Sequence, residues 1–505
     1  MADKTMTLGE RVLLTIAPGF ASRRVQAQRN YHSHKMALDV MRKYEAAGTG
    51  RRNDGWHRPG SSANAEVSTS AGMLRRGARQ LVRDNGHAAN AVNVLETNVI
   101  GTGIRPDFEA ERDQTSRILE ELWQEHVESE SSGADEVGNF YDRQGLGFRA
   151  IVESGSVLSR RRRRDSRSNM PLPYQVQLLE PDFLDTTLSR HNGNVVIQGK
   201  EFDKRGALVA FHIYTQHPGD SFLGINTRTG SIRVLAGEIS HAFRMDRPGQ
   251  VDGVSWFAPV MTTLRDLGDT RDSYQLRQKI ASCYAVFLHE PEPTGGISSN
   301  NTPVTSHVEP GRIESVPPGK DVTFASPPGV DGMSDFDKAQ LMTIAVGMGM
   351  PYEALTGDLR NVSFLSGRMG WLAFYRNIDS WRSRIVIPRL CRPELNWFLD
   401  AARVSAGIAE PVRVHWISPH RDLLNPSEEI KALREEMRLG ALSYPDMVKM
   451  RGRDPNQVLA SWERWAKELE KRDLYFDWDP TRVSLSGNPN TNAAQESSDA
   501  PSSQN

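Results

Sequence analysis

The residue types able to do chemistry are scattered along this chain. Asp107, Glu109, Glu111 and Asp113 place four carboxylates in one short stretch. Oxygen ligands of that kind can hold a divalent metal and so support metal-assisted hydrolysis; the plainer reading is a solvated acidic linker. A second acidic run, Glu180, Asp182 and Asp185, has no histidine or further acidic pair spaced to complete a coordination shell, and reads as a turn between strands. His126 aligns with Ile118, Leu122 and Trp123 on one helical face and reads as a boundary residue rather than a ligand. Arg160, Arg161, Arg162, Arg163 and Arg164 invite a phosphate reading. Val157-Leu158 precede them like a strand, however, and alternate arginines of a strand face opposite ways. A solvated edge or an inter-subunit salt-bridge set is therefore preferred to DNA. The chain contains no phosphate loop, HExxH, GxSxG or CxxC, and Gly101-x-Gly103 meets Pro106 where a third glycine would stand. Gly319-Lys320 lacks the upstream glycine and downstream hydroxyl of a phosphate loop. These residues give no enzyme to argue for.

Charge and composition narrow the classes further. With 62 basic and 63 acidic residues among 505, the net charge of −1 does not announce a nucleic-acid-coating protein. Cys283 and Cys391 are the only cysteines, which argues against a disulfide framework or a cysteine zinc site and suits a reducing compartment. No apolar run approaches the roughly 18 residues of a membrane span. The run 12–17 is too short for the apolar core of a signal peptide. A cytoplasmic protein, or part of a soluble particle, is expected.

The elements that must position any site are clearest at 258–350, which reads as helix, excursion, helix. The first arm, 258–288, has no internal proline after Pro259, and Met261, Leu264, Leu267, Tyr274, Ile280, Cys283, Tyr284 and Phe287 recur near helical spacing. His289-Glu290-Pro291-Glu292-Pro293 stops it, and a Pro-, Gly- and Ser-rich excursion of short strands follows, with 321–324 a strand. The second arm begins near Asp335 and ends at Gly347-Met348-Gly349-Met350-Pro351. Residues 1–70 read as a basic, loosely ordered arm, with a short helix at most over 31–44. Order is expected from Ala71: helices to Asp84 and from Ala88 to Val99, with Gly86 as a left-handed cap between them, and a third helix over 115–128. Strands are expected at 174–179, 208–214, 239–245 and 412–417. Residues 358–367 read as a loop, followed by a long helix with Trp371, Phe374, Tyr375, Ile378, Trp381 and Ile385 on one face, kinked by Pro388 and Pro393. Such an aromatic stripe is core or subunit interface before it is a base-stacking platform. Ser427 is the expected N-cap of a helical region from 426 to about 469. The Ser-, Asn- and Gln-rich tail reads as disordered.

Five strings, in order, resemble the lambda-type family of tailed-bacteriophage portal proteins: RGARQLVRDNGHAAN at 76–90, LEPD at 179–182, RPGQVDGVSWFAPV at 247–260, PPGKDVTF at 317–324 and AVGMGMPYEALTGD at 345–358. The likeness spans roughly residues 71–479. Where the family tends to show a Tyr-Ser-Ser-Ala-Arg run, this chain has Ser363-Phe364-Leu365-Ser366-Gly367-Arg368, which keeps only the arginine. The resemblance implies a mixed α+β portal fold: a wing over 71–257, a first stem helix over 258–290, a β-rich clip over 291–331, and a second stem helix and turn over 332–357. A tunnel loop over 358–367 would follow, then a long kinked helix and wing return over 368–425, a helical crown over 426–483 and a tail over 484–505. It implies no enzymatic activity and no cofactor or metal. It implies a ring of about twelve copies at one capsid vertex, working with the large terminase subunit, the major capsid and scaffold proteins, a head–tail connector and double-stranded DNA bound without sequence preference. On this analogy Arg360, Asn361, Ser363 and Arg368 are the expected DNA-facing loop positions, and Arg277 and Lys279 the expected stem positions. A phage DNA-processing hydrolase using the dispersed carboxylates, or another ring-forming connector, are the alternatives.

Overall fold

The computed structural model describes residues 18–41, 51–165, 170–220, 230–282, 286–289, 321–324, 333–408, 410–421, 425–472 and 474. It separates into two units, 1–62 and 63–505. The first unit departs from the loose arm expected of it, for it holds a 24-residue helix, α1 (Pro18–Met41). In the second unit order begins at α2 (Ala63–Asp84), about two turns before the expected start at Ala71. Ala63, Val67 and Ala71 are buried at four-residue spacing, which extends the apolar face of this helix toward its N-terminus. α3 (Gly86–Val99) follows at once. Gly86 is not a left-handed cap: Asn85 is the N-cap, with extended backbone and a side-chain oxygen accepting from the His87 and Ala88 amides.

β1 (Arg105–Ala110) leads to α4 (Asp113–Leu122), which widens into a π turn over Trp123–Val127. α5 (Phe140–Ser154) crosses α2 and α3 and feeds β2 (Ser156–Arg163) and β3 (Tyr174–Leu179). Then come β4 (Arg190–His191), β5 (Asn194–Ile197), β6 (Lys200–Phe202), β7 (Leu208–Ile213) and β8 (Ile232–Leu235), an antiparallel five-stranded sheet in sequence order. Two tight turns build it: Asn192-Gly193 (φ 47° and 84°) and Gln198-Gly199 (φ 51° and 74°). Both have the paired positive φ of a type I′ hairpin, whose twist matches that of its strands. β9 (Ile239–Phe243) returns to β2, giving the order β3-β2-β9.

The five arginines run along and just past β2, which β9 flanks only as far as Arg160, so on that side the strand is an edge from Arg161 onward. Arg161 reaches Asp400, Arg162 donates to Gln177, Arg163 pairs with Glu238 and Arg164 donates to Gln175. Asp400 and Glu238 lie far away in sequence, so local pattern alone could not show them, whereas Gln175 and Gln177 come from the neighbouring strand β3.

The two-armed element is present, with a shorter first arm. α6 (Met261–Ser282) is 22 residues long, and β10 (Val286–His289) pairs antiparallel with β11 (Asp321–Phe324). The expected helix to 288 therefore ends early, because Val286, Phe287 and Leu288 find a ladder partner across the excursion. Residues 290–320 and 325–332, which hold most of the expected clip, lie outside the described residues, as do Cys283 and the tail. α7 (Met333–Met348) is the second arm. Leu264 and Leu267 of α6 and Leu341, Ile344 and Met348 of α7 join the main core. Gly347 is needed at the joint: a Cβ there would fall 2.2 Å from Val260 Cγ1. Farther along, Arg271 of α6 donates to Asp337 of α7 at 3.0 Å.

α8 (Tyr352–Thr356) is a single turn. α9 (Phe364–Trp381) runs into a π stretch, Arg382–Cys391, and on into α10 (Arg392–Ala406). Pro388 lies inside the π stretch. In an α-helix its ring would meet the carbonyl four residues back, and a wider turn relieves that contact. Pro393 falls in the first turn of α10, and the Arg389 carbonyl four residues back, which its missing N–H leaves open, accepts from Ser240 Oγ. β12 (Val412–Ile417) pairs with β1. α11 (Pro426–Arg438), α12 (Tyr444–Met450) and α13 (Pro455–Lys471) complete the described chain. Asn425, not Ser427, stands at the N-cap of α11, with Pro426 in its first turn.

One buried cluster joins α2, α3, α5, the two arms and the α9–α10 run, with Trp123, Phe140, Trp256, Phe374 and Phe398 among its largest members. Two buried arginines are tied into it by specific partners. Arg143 of α5 and Glu394 of α10 form a buried ion pair, and Arg143 also donates to Ser132 Oγ and the Gly138 carbonyl. Arg382 donates to the Val99 and Asn98 carbonyls (2.7 and 2.9 Å), satisfying acceptors that the end of α3 leaves open.

Candidate functional site

The loop between α8 and α9 is built from its two anchors inward. Asn90 of α3 donates to the Leu355 carbonyl at 2.8 Å, and Leu355 is buried, so α8 is fixed to the core. Gly357 ends α8 with φ 70°, its amide returning to the Glu353 carbonyl at 2.8 Å. At the far side Ser363 is the N-cap of α9 in a reciprocal arrangement with Ser366: each backbone N–H donates to the other's hydroxyl. The loop proper is thus 358–363. Helix begins at Phe364, inside the span expected to be loop, and Arg368 belongs to α9.

Between the anchors, Asp358 organises the turn. Its carboxylate accepts the Arg360 amide and two guanidinium nitrogens, Nε and Nη2, each at 2.9 Å. That fork holds the Asp358 carboxyl down to about 2. Arg360 is therefore not a bare cation: it is exposed, with its charge balanced inside the loop. Asn361 and Ser363 are also exposed, Arg368 is half-buried, and Leu359, Phe364, Leu365 and Met369 are exposed around them. Arg277 and Lys279 lie on another element, in the last two turns of α6. Nothing here supplies a nucleophile or a poised base. The arrangement is an exposed loop anchored at both ends, with the charge of Arg360 balanced by Asp358.

The dispersed carboxylates are not gathered into a centre. Asp107 pairs with Lys449 at 2.9 Å, and Glu109 meets His415 Nε2 at 3.0 Å. Asp107 instead neighbours Glu120 and Asp454. Burial, then Asp454 and Asp107, push Glu120 up to about 7. Asp182 is a structural anchor: burial alone would raise its carboxyl, but Arg75 and Arg79 of α2 bind it at 3.0 and 2.8 Å and hold it below its ordinary value. His126 lies deeper than expected of a boundary residue. It is fully buried against Tyr174, and burial pushes its imidazole down to about 4.

The model of the family described as "Phage portal protein, lambda family" matches residues 49–382. The probable portal protein of Halomonas phage phiHAP-1 is 25% identical over 456 residues, covering 83% of this chain and 85% of that protein. The portal protein of Escherichia phage N15 is 22% identical (84% and 89% covered), and portal protein B of Escherichia phage lambda 21% (84% and 89%). Among solved structures, the neck of a native gene transfer agent particle with C12 symmetry aligns at a TM-score of 0.44 and 14% identity, covering 80% of this chain and 98% of that one. An HK97 family phage portal protein from Corynebacterium diphtheriae aligns at 0.33 and 11% identity, covering 71% and 98%. Among the described residues no helix is long and apolar enough to cross a membrane.

Proposed function

This chain belongs to the lambda family of phage portal proteins, and we propose that about twelve copies close into a ring at one capsid vertex. The observation that carries this is the family match over 49–382, which takes in both arms, the loop and α9. The ring's channel passes double-stranded DNA inward, driven by a separate terminase, and outward at ejection. The excursion between the arms docks the large terminase subunit and later the head–tail connector, while the wing faces the major capsid and scaffold proteins. The protein works at the portal vertex of the virion and is present in the host cytoplasm during assembly.

The loop suits a conduit. A channel for DNA of any sequence cannot read base edges. It must also avoid gripping phosphates, since each one neutralised adds salt-dependent affinity and hence drag. An exposed arginine already balanced by Asp358 presents donors to a passing backbone without a ring of uncompensated positive charge. The family is one of portal proteins and indicates no enzyme.

Native mass spectrometry with negative-stain class averages tests the assembly, on protein co-expressed with capsid and scaffold proteins. A ring of about a dozen chains with a central hole is the expected result. A chain that stays monomeric or dimeric under those conditions overturns the proposal.

A further inference from the structure

We propose that His191, Glu201 and His212, on the outer part of the five-stranded sheet, form a binding site for one divalent transition ion of the zinc class. The sheet's register brings them together. His191 ends the two-residue β4, Glu201 is the middle residue of β6, and His212 lies on β7. The Asn192-Gly193 and Gln198-Gly199 turns fold β4 and β6 back on either side of β5.

The distances are those of a coordination shell. Glu201 Oε2 is 3.0 Å from His212 Nε2 and 3.3 Å from His191 Nδ1. Two imidazoles and one carboxylate, bound at about 2.0–2.2 Å around a tetrahedral ion, have ligand–ligand edges near 3.3 Å. Their potential ligand atoms all lie within 4.8 Å of one another. The Glu201–His191 edge fits as it stands, and the Glu201–His212 edge needs to open by a few tenths of an ångström.

The donor count points the same way. Glu201 Oε2 already accepts from Arg233 Nε at 2.7 Å and faces His212 Nε2, while Oε1 accepts from Asn194 at 2.7 Å and from Arg233 Nη2 at 3.3 Å. His191 Nδ1 is aimed at the same Oε2, is itself shielded from solvent, and makes no hydrogen bond. A buried ring nitrogen without a partner is costly, and a shared cation satisfies nitrogen and carboxylate together. Glu201 and His212 are fully buried, whereas the His191 side chain is 32% exposed and gives a path for the ion and a fourth, water ligand. Arg233 lies directly across from His212 on β8, approaches Glu201 from the solvent side and is 37% exposed. It competes with the ion for Oε2. The bound ion would pin β4, held by only two residue pairs, to β6 and β7.

The test is titration of untagged, chelator-treated full-length protein with Co²⁺, whose visible absorption reports a tetrahedral site, followed by displacement with Zn²⁺. We expect one equivalent per chain. His191→Ala, at the half-exposed edge, should weaken binding at least about tenfold, with an unchanged far-UV spectrum without metal. Glu201→Gln should weaken it likewise, and Arg233→Ala should tighten it, because a competitor and a like charge are removed. Slowed amide exchange over 190–197 on adding Zn²⁺ is the expected structural readout. Absence of a stoichiometric tetrahedral spectrum overturns the proposal, as does His191→Ala binding like the wild type. Arg233→Ala that folds normally yet binds more weakly also overturns it.

Discussion

Asp358→Asn should turn the loop from a neutral rim into a cationic one. Asparagine keeps the Oδ1 acceptor that holds the Arg360 amide, so the turn survives; what disappears is the charge opposite the guanidinium. Each chain's loop gains one positive charge, and a ring of about twelve gains as many. DNA carries one charge per about 1.7 Å of axis, so a layer one helical turn high, about 5 Å, engages roughly three phosphates. With a slope near −0.9 per phosphate, the salt dependence of DNA binding by assembled rings should steepen by roughly 3. That is about a 40-fold larger affinity loss between 50 and 200 mM salt than in the wild type. Arg360→Ala leaves Asp358 bare and should make the slope shallower. The double substitution should return close to wild type, and packaging should slow in Asp358→Asn alone. The assay is filter or fluorescence binding of double-stranded DNA to purified rings across a salt series, with packaged-DNA yield alongside. Identical slopes in all four proteins would show that the loop does not face DNA.

Two further outcomes concern stability. Glu394→Gln leaves Arg143 buried without its counter-charge and should cost about 3–5 kcal/mol in urea denaturation of the unassembled chain, while Arg143→Met with Glu394→Leu should cost less than either single change. His126 and His241 are both held down to about 4 by burial, His241 also by Lys200 and Arg389 and against the pull of Asp252. Their folded values lie below the unfolded one near 6.5, so the unfolded chain takes up protons first. Each histidine should make stability fall by roughly 3 kcal/mol between about pH 6.5 and 4, while Glu120, held up at about 7, works in the opposite sense over the same window and offsets about one of them; His126→Phe should lower proton uptake on unfolding near pH 5.5 by about one.

How far the sequence shows this fold depends on whether an element's partner is near. Helices with a continuous apolar face are legible: α7 and α9 start and stop within a few residues of their spacing, and β12 is bounded as read. Elements that depend on a distant ladder are not. Val286–His289 continues the apolar spacing of α6, yet Asp321–Phe324 captures it as a strand across the excursion. In the five-stranded sheet only 208–214 reads as a strand by alternation. β5, β6 and β8 are three or four residues each, too short for a period to emerge. Their signal lies in the turns, where Asn192-Gly193 marks the hairpin by residue type alone. Missing it also hides His191, Glu201 and His212, which are 10 and 11 residues apart and have no local motif.

Three of the strings that carry the family likeness lie at joints between elements, and a fourth runs from such a joint to Asp358 at the start of the loop. In the first, Arg79 joins Arg75 just upstream in gripping Asp182 of the second. In the third, Gln250 accepts the Asp246 and Arg247 amides and donates to the Asp252 carbonyl, while Asn64 brackets Gly249 and Val251. In the last, Gly347 lets α7 approach Val260, and the Gly349 carbonyl accepts from Asn377 of α9. Each places a fixed donor against a fixed acceptor, or removes a side chain where two elements touch, so the residue type is dictated by geometry. The loop obeys a weaker demand. On the proposed reading, a surface that slides along DNA needs approximate neutrality and firm anchors, and Asp358-Arg360 and Ser363-Ser366 supply a balanced charge and anchors here without a Tyr-Ser-Ser-Ala-Arg run. Sequence therefore identifies the scaffold by its joints, and the channel lining has to be found by changing its charge and watching the salt dependence.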